Sequence, residues 1–291
     1  MALRIIYDNA ADRTATLTAS STAGSLVASN LQSDIKSAVW RATDTTGTLT
    51  ATWTTSQLIG GIVLPFTNLT SLATIRVRGY AETADTSTVF DTGIIYACPP
   101  PSLGTQGWGS FPLGANGYES GGANTFSQGK GSYARAWLSS PMYAKKVVID
   151  IVDTLNDDGY IEASRLVIGG YWESTYNAEM GASISIQDST KQYRNDSGDL
   201  MSDLGTKHKK QNLNFPWLLA DDRATLWRIL IGNGSGKPVF ISVFPNGLIG
   251  NASVDYKLEQ THQMYCRLVA TPQVSTPFWN NFSTTIDIEE V

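Results

Sequence analysis

Two histidines, His208 and His262, stand in different segments of this 291-residue chain. A catalytic metal site draws several His, Cys or carboxylate ligands to close spacing, and neither histidine has a partner at helical spacing. His208 falls in the short basic run Lys207–Lys210, read as a solvated loop, and His262 at the start of a strand. Cys98 and Cys266 are far apart and read as buried thiols, with no disulfide framework. Gly232-Asn-Gly-Ser-Gly-Lys237 superficially matches a phosphate loop, but Ile231 replaces the leading glycine and Pro238 the Ser or Thr after the lysine. It also follows a helix, whereas a phosphate loop precedes one. The acidic stretch Asp153–Glu162 lacks the Asp and Gly of a calcium loop, with Leu155 and Asp158 in their places. Asp158-Gly159 suits a hairpin turn, with an irregular surface ion as the alternative. No Gly-x-Ser-x-Gly elbow occurs, and among 26 Asp and Glu no pair stands out for glycoside cleavage. Catalytic, cofactor and metal residues are therefore assigned to none of these positions.

Composition narrows the partners. The chain carries net charge −5, without the basic stripe that phosphate backbones require. No stretch approaches the ~20 apolar residues of a membrane span. Met1–Asp8 has no apolar core of signal-peptide length, so synthesis and folding in a cytoplasm are expected. With 26 glycines, 42% hydrophobic and 16% charged residues, the chain has the profile of a β-rich, turn-rich protein.

The elements follow from periodicity. Leu49, Ala51 and Trp53 alternate with threonines, and Ile75 and Val77 with Arg76 and Arg78, as strands burying one face do. Between them runs the apolar Ile62–Leu64. Val89–Cys98, Ser132–Leu138, Val147–Val152 and Ile161–Ile168 read as further strands, and Gly169–Trp172 as an exit. The first domain thus spans 1–173, a jelly-roll β-sandwich. Its 99–131 stretch is glycine-rich and aperiodic, with Trp108, Phe111, Tyr118 and Phe126 scattered through it. Long loops of this kind are commonly functional. Its aromatics could pin the loop to its own sandwich, bury in a neighbouring subunit or stack on a sugar.

The second domain, 174–291, reads as β-rich with one helix near 219–231. Asp221 and Asp222 suit the helix's first turn, and Leu219, Leu226, Trp227 and Leu230 form its apolar face, with Gly232 ending it. Strands are expected at 182–187, 191–194, 211–215, 237–244, 254–258, 263–270 and 284–288.

Certain short matches combine into a recognisable pattern. Asn30-Leu31, Trp40-Arg41, Ile62–Leu64, Asn68-Leu69 and Ala73–Val77 resemble the discoidin-like (galactose-binding-like) sandwich of phage tail and baseplate proteins. Ile161-Glu162, Arg165-Leu166, Ile168-Gly169 and Tyr171-Trp172 resemble its closing strand. Asp188-Ser189, Arg194, the helix from Leu219, Gly236–Val239 and Val243–Pro245 are similar to the distal-tail class of baseplate proteins. The resemblance spans most of 25–250, leaves out the glycine-rich loop and matches no sugar-binding position. It implies a non-enzymatic virion protein, made in the bacterial host cytoplasm. Several copies would form a ring at the tail tip, joining the tail tube to hub or fibre proteins. The alternative is a carbohydrate- or receptor-binding module that attaches the virion to a host-surface glycan, and a glycan-degrading enzyme ranks third.

Overall fold

The computed structural model describes residues 3–12, 14–70, 72–98, 132–178, 183–247, 256–279 and 281–291. It divides into two compact units, Leu3–Glu173 with Val239–Gln263, and Ser174–Pro238 with Met264–Val291. In chain order the first unit holds β1 (Arg4–Ile6), β2 (Thr16–Ala19), β3 (Trp40–Arg41), β4 (Thr46–Thr67), β5 (Thr74–Tyr80) and β6 (Phe90–Asp91). It continues with β7 (Ile95–Tyr96), β8 (Ser132–Val152), β9 (Glu162–Ala163), β10 (Val167–Gly169) and β11 (Tyr171–Glu173). The second unit adds β12 (Ser183–Asp188), β13 (Lys191–Arg194), β14 (Leu200–Asp203), β15 (Lys207–Leu218) and helix α1 (Ala220–Asn233). The chain then passes through β16 (Val239–Ser242) and α2 (Tyr256–Thr261) to β17 (Gln263–Leu268), β18 (Val274–Phe278) and β19 (Asn281–Glu290). The protein is mainly β, as the composition and alternation indicate: a sandwich, then a β-rich unit that packs one helix.

Two long strands organise the sandwich. β4 and β8 pair antiparallel from Thr46↔Val152 to Thr67↔Ser132, with register shifts after Thr52, Ile59 and Leu64. Each shift is a bulge-like irregularity that bends the strand and strengthens its twist. The early half of β4 also pairs with β2 and the late half with β10, while β8 pairs with β5. Leu49–Trp53 and Ile62–Leu64 are therefore one strand and not two joined by a turn; likewise 132–138 and 147–152. On the inner face Leu49, Ala51, Trp53, Ile75, Val77, Val147, Ile149 and Ile151 are buried, as their alternation requires.

The other layer of the first unit is β11–β1–β16. It faces the late halves of β4 and β8 through aromatic side chains. Trp137 sits edge-on to Tyr171 (5.7 Å) and tilted against Phe240 (6.1 Å). Gly61 makes room for this: a Cβ there would come within 2.5 Å of the Trp137 ring and 2.7 Å of Ile6. Residues 239–263, read from sequence as part of the second domain, pack with the first because β16 pairs with β1 in the register Ile6↔Phe240.

Other expectations shift for local reasons. Val89–Cys98 breaks into β6 and β7 around Gly93 at φ 64°. Ile161–Ile168 divides into β9 and β10, and the exit at Tyr171–Glu173 is itself a strand paired with β1. In place of the strand expected at 254–258, Tyr256–Thr261 is helical; residues 254 and 255 lie outside the described residues. Glu259 on that helix is buried against Arg135 of β8, a contact 124 residues away in sequence that local pattern cannot reveal.

In the second unit β15 pairs with β12 on one side and β19 on the other, and β19 also pairs with β17 and β18. Lys207–Lys210, expected as a loop, is the start of β15, opposite Ser185 to Asp188 of β12. Burial lowers the Lys209 pKa, partly opposed by Glu290. α1 turns Leu226, Ile229 and Leu230 inward. Ile229 takes the place assigned to Trp227, which is 56% exposed, and Leu219 is also exposed. The helix ends at Gly234 (φ 53°), whose N–H donates to Leu230 O (2.9 Å), and not at Gly232. Cys98 and Cys266 are buried and not joined in a disulfide, and burial pushes the Cys266 thiol up.

Candidate functional site

Trp108, Phe111, Tyr118 and Phe126 lie in 99–131, outside the described residues. Both histidines serve local structure. His208 Nε2 lies 2.9 Å from Glu289. His262 Nδ1 is 3.1 Å from Leu258 O and 2.8 Å from Thr261 Oγ1, its ring edge-on to Phe244. Among the described residues no group of three His, Cys, Asp or Glu could hold a metal ion. In the acidic stretch Asp153 is buried and accepts hydrogen bonds from Thr70 N (2.8 Å), Thr70 Oγ1 (2.6 Å) and Asn156 Nδ2 (3.3 Å). Asp158 accepts from Asn68 Nδ2 at 3.0 Å. These carboxylates tie loops together.

Several other ionic groups of the first unit are paired. Arg165 bridges Asp12 and Asp34, and burial raises the Asp12 pKa against the opposing pull of Arg165. Arg78 pairs with Asp150, which also accepts from Thr48 Oγ1 at 2.9 Å. Asp91 is held at about 2, below its ordinary 3.8, first by side-chain hydrogen bonds from Arg76 and then by the Gly93 N–H. A depressed carboxyl pKa stabilises the fold above the unfolded value and loses that effect as pH falls through the folded one. Asp91→Asn is therefore expected to lower the pH 7 urea midpoint modestly, since the pair is partly exposed, and to flatten the decline between about pH 4 and pH 2 by the same amount.

The second unit carries a surface of another kind. Pro216 has no N–H for the ladder, and the β15–β19 register shifts between Phe215 and Leu218. Trp217 is left 57% exposed there. Leu218 faces Phe282 across the ladder, and Asn281 Nδ2 donates to Pro216 O at 3.4 Å. Phe278 pairs with Asn281, so the β18–β19 hairpin presents Phe278 (69% exposed) and Trp279 (99% exposed) at the same end. The Arg223 guanidinium stacks 4.3 Å over Phe282, bringing the exposed face of α1 to this edge. Along that face Leu219, Arg223, Trp227 and Ile231 recur every fourth residue, all exposed.

Chemically this end offers exposed aromatic side chains beside one stacked guanidinium. Sequence alone places Trp227 in the core and does not single out Trp217, Phe278 or Trp279. Their segments meet only through the β15–β19–β18 register. The local signals were Pro216-Trp217 and the tight Phe278–Phe282 hairpin.

No family model matches the chain, and no curated protein matches it. Solved structures do. CpGH89CBM32-5 from Clostridium perfringens, in complex with GalNAc-β-1,3-galactose, is 10% identical with a TM-score of 0.37, over 56% of this chain and all of that one. The family 32 CBM of C. perfringens NanJ, in complex with galactose, is 12% identical with a TM-score of 0.35, over 55% of this chain and 96% of that one. A Ruminococcus gnavus GH29 fucosidase in complex with fucose is 12% identical with a TM-score of 0.37, over 57% of this chain but only 27% of the fucosidase.

Proposed function

We propose that this is a non-enzymatic assembly protein, a structural component of a bacteriophage tail tip that packs against protein neighbours through its second unit. The observation that carries the reading is the exposed aromatic end: Trp217, Trp227, Phe278 and Trp279 around Arg223. Large exposed apolar patches on soluble proteins mark interaction sites. Aromatic residues and Arg are also the types enriched at protein interfaces, with charge depleted from the core. The tail-tip setting rests on the discoidin-like and distal-tail resemblance of the short matches, and the ring on the several copies that setting implies.

A second reading is favoured by Trp279. At 99% exposure its indole face is free to stack on a sugar ring, which would make the protein a carbohydrate- or receptor-binding module for a host-surface glycan. The triple variant Trp217→Ser/Phe278→Ser/Trp279→Ser separates the two in sedimentation velocity and on a glycan array. Under the assembly reading the unmodified protein forms larger species, the variant's association weakens by about tenfold or more, and no glycan signal changes. A monomeric parent whose glycan binding disappears in the variant would replace assembly with carbohydrate recognition.

A further inference from the structure

A polar row crosses the inner side of the β11–β1–β16 layer. Arg4 stands opposite Glu173 on one side and Ser242 on the other. Val243 N donates to His262 O (3.3 Å), which sets the following residue, Gln263, beside Ser242. Side chains paired across a ladder share a face, so Glu173, Arg4, Ser242 and Gln263 form one line. All but Glu173 are buried. Arg4 shows which way the line faces. Its Nε donates to Glu173 Oε2 (3.2 Å), and its guanidinium lies 4.4 Å over Tyr171 and 5.4 Å over Trp137 of β8. Trp137 packs in turn against Phe240, which shares a face of β16 with Ser242.

Several polar atoms here lack a protein partner. Ser242 Oγ, both amide atoms of Gln263 and Trp137 Nε1 are shut off from solvent without a hydrogen bond. Among the described residues of the first unit, Arg78 Nε is the one other side-chain atom in that condition. Elsewhere in the unit buried polar groups are matched: Asp153 by Thr70 and Asn156, Arg135 by Glu259, and the Trp53 indole by the Ala10 carbonyl. An unmet buried donor or acceptor carries its whole desolvation cost, and nearly all such groups in folded proteins find a partner. Four such atoms in one place call for a shared partner.

The atoms define that partner's chemistry. The indole N–H only donates, whereas the serine hydroxyl and the glutamine amide each donate and accept. The partner must therefore do both. It must also be neutral. Arg4 is matched by Glu173 and the neighbouring Arg135 by Glu259, so a further ion would bring unpaired charge into a closed layer. Water meets each condition and makes about three such bonds inside proteins. We infer that ordered internal water binds in the seam between β16 and β8, bridging Trp137 Nε1, Ser242 Oγ and the Gln263 amide. The β11–β1–β16 layer is then joined to the long strands by water-mediated bonds as well as by aromatic packing. This site is independent of the assembly reading.

Isotopic labelling of the indole nitrogens in the unmodified protein gives the direct test, because an indole proton beside long-lived water cross-relaxes with it. Trp137→Phe assigns the signal. The Trp137 indole proton is expected to give a cross-peak to water, and that of Trp53, which donates to the Ala10 carbonyl, to give none. Ser242→Ala/Gln263→Met removes the hydroxyl and the amide but keeps most of the volume. It is expected to abolish the cross-peak and to lower the urea midpoint, since the indole N–H is left alone. A missing Trp137 cross-peak in the unmodified protein would overturn the inference, and that measurement stands even where the double variant fails to fold. A raised midpoint in the double variant would also overturn it, because deleting groups that have no partner relieves their cost.

Discussion

Replacing Arg135 with Met is expected to cost about 3–5 kcal/mol of stability, because it strands a buried charge. Glu259 on α2 has a side chain with no exposure, and Arg135 on β8 meets it in a two-pronged contact, Nε to Oε1 at 2.9 Å and Nη2 to Oε2 at 3.0 Å. The third guanidinium nitrogen donates to the Tyr96 (2.9 Å) and Ala97 (3.4 Å) carbonyls. One side chain therefore ties α2 and the segment after β7 to the long strand. With Arg135 gone, Glu259 must ionise without a partner or take up a proton. An isosteric apolar pair removes both charges, so Arg135→Met/Glu259→Met is expected to recover most of the loss. Urea titrations of parent, single and double variants measure this. A single variant within about 1 kcal/mol of the parent would show that the pair does not hold α2, given that exposed pairs are worth that little.

Trp40→Ala is expected to cost a similar amount, about 3–5 kcal/mol, for a different reason. Trp40 has no exposed surface, and its indole Nε1 donates to Ser21 O at 3.1 Å. Gly47 leaves room for the ring: a Cβ there would stand 3.0 Å from Trp40 Cη2. Alanine leaves a cavity lined by a rigid double strand that cannot collapse around it. Trp40→Phe keeps most of the apolar volume but orphans the Ser21 carbonyl, so its loss should be smaller, about 1–3 kcal/mol. Equal losses in the two variants would mean that the hydrogen bond, and not the volume, dominates.

Strong local patterns carried much of the fold in the sequence. Leu49, Ala51, Trp53, Ile75 and Val77 alternate because one face of each strand is dry, and all five are buried. Asp221 and Asp222 mark the first turn of α1, where Asp222 accepts the Thr175 N–H at 3.1 Å. Bulges were illegible: the polar run Thr54–Gln57 has turn composition, yet β4 continues through it because β8 pairs on both sides. The helix at Tyr256–Thr261 depends on a distant arginine. Hydrophobicity alone does not separate a core face from an exposed one, and α1 carries apolar residues on both, which is why Trp227 is exposed and not in the core. The aromatic end was hidden because Trp217, Phe278 and Trp279 are far apart in sequence until the β15–β19–β18 register joins them.

Mass photometry of the unmodified protein over a concentration series, alone and mixed with tail-tube subunits, tests the assembly function most directly. A discrete multimer of fixed copy number, formed alone or on mixing, is the predicted result. A persistent monomer, indifferent to concentration and to the tube protein, would contradict it.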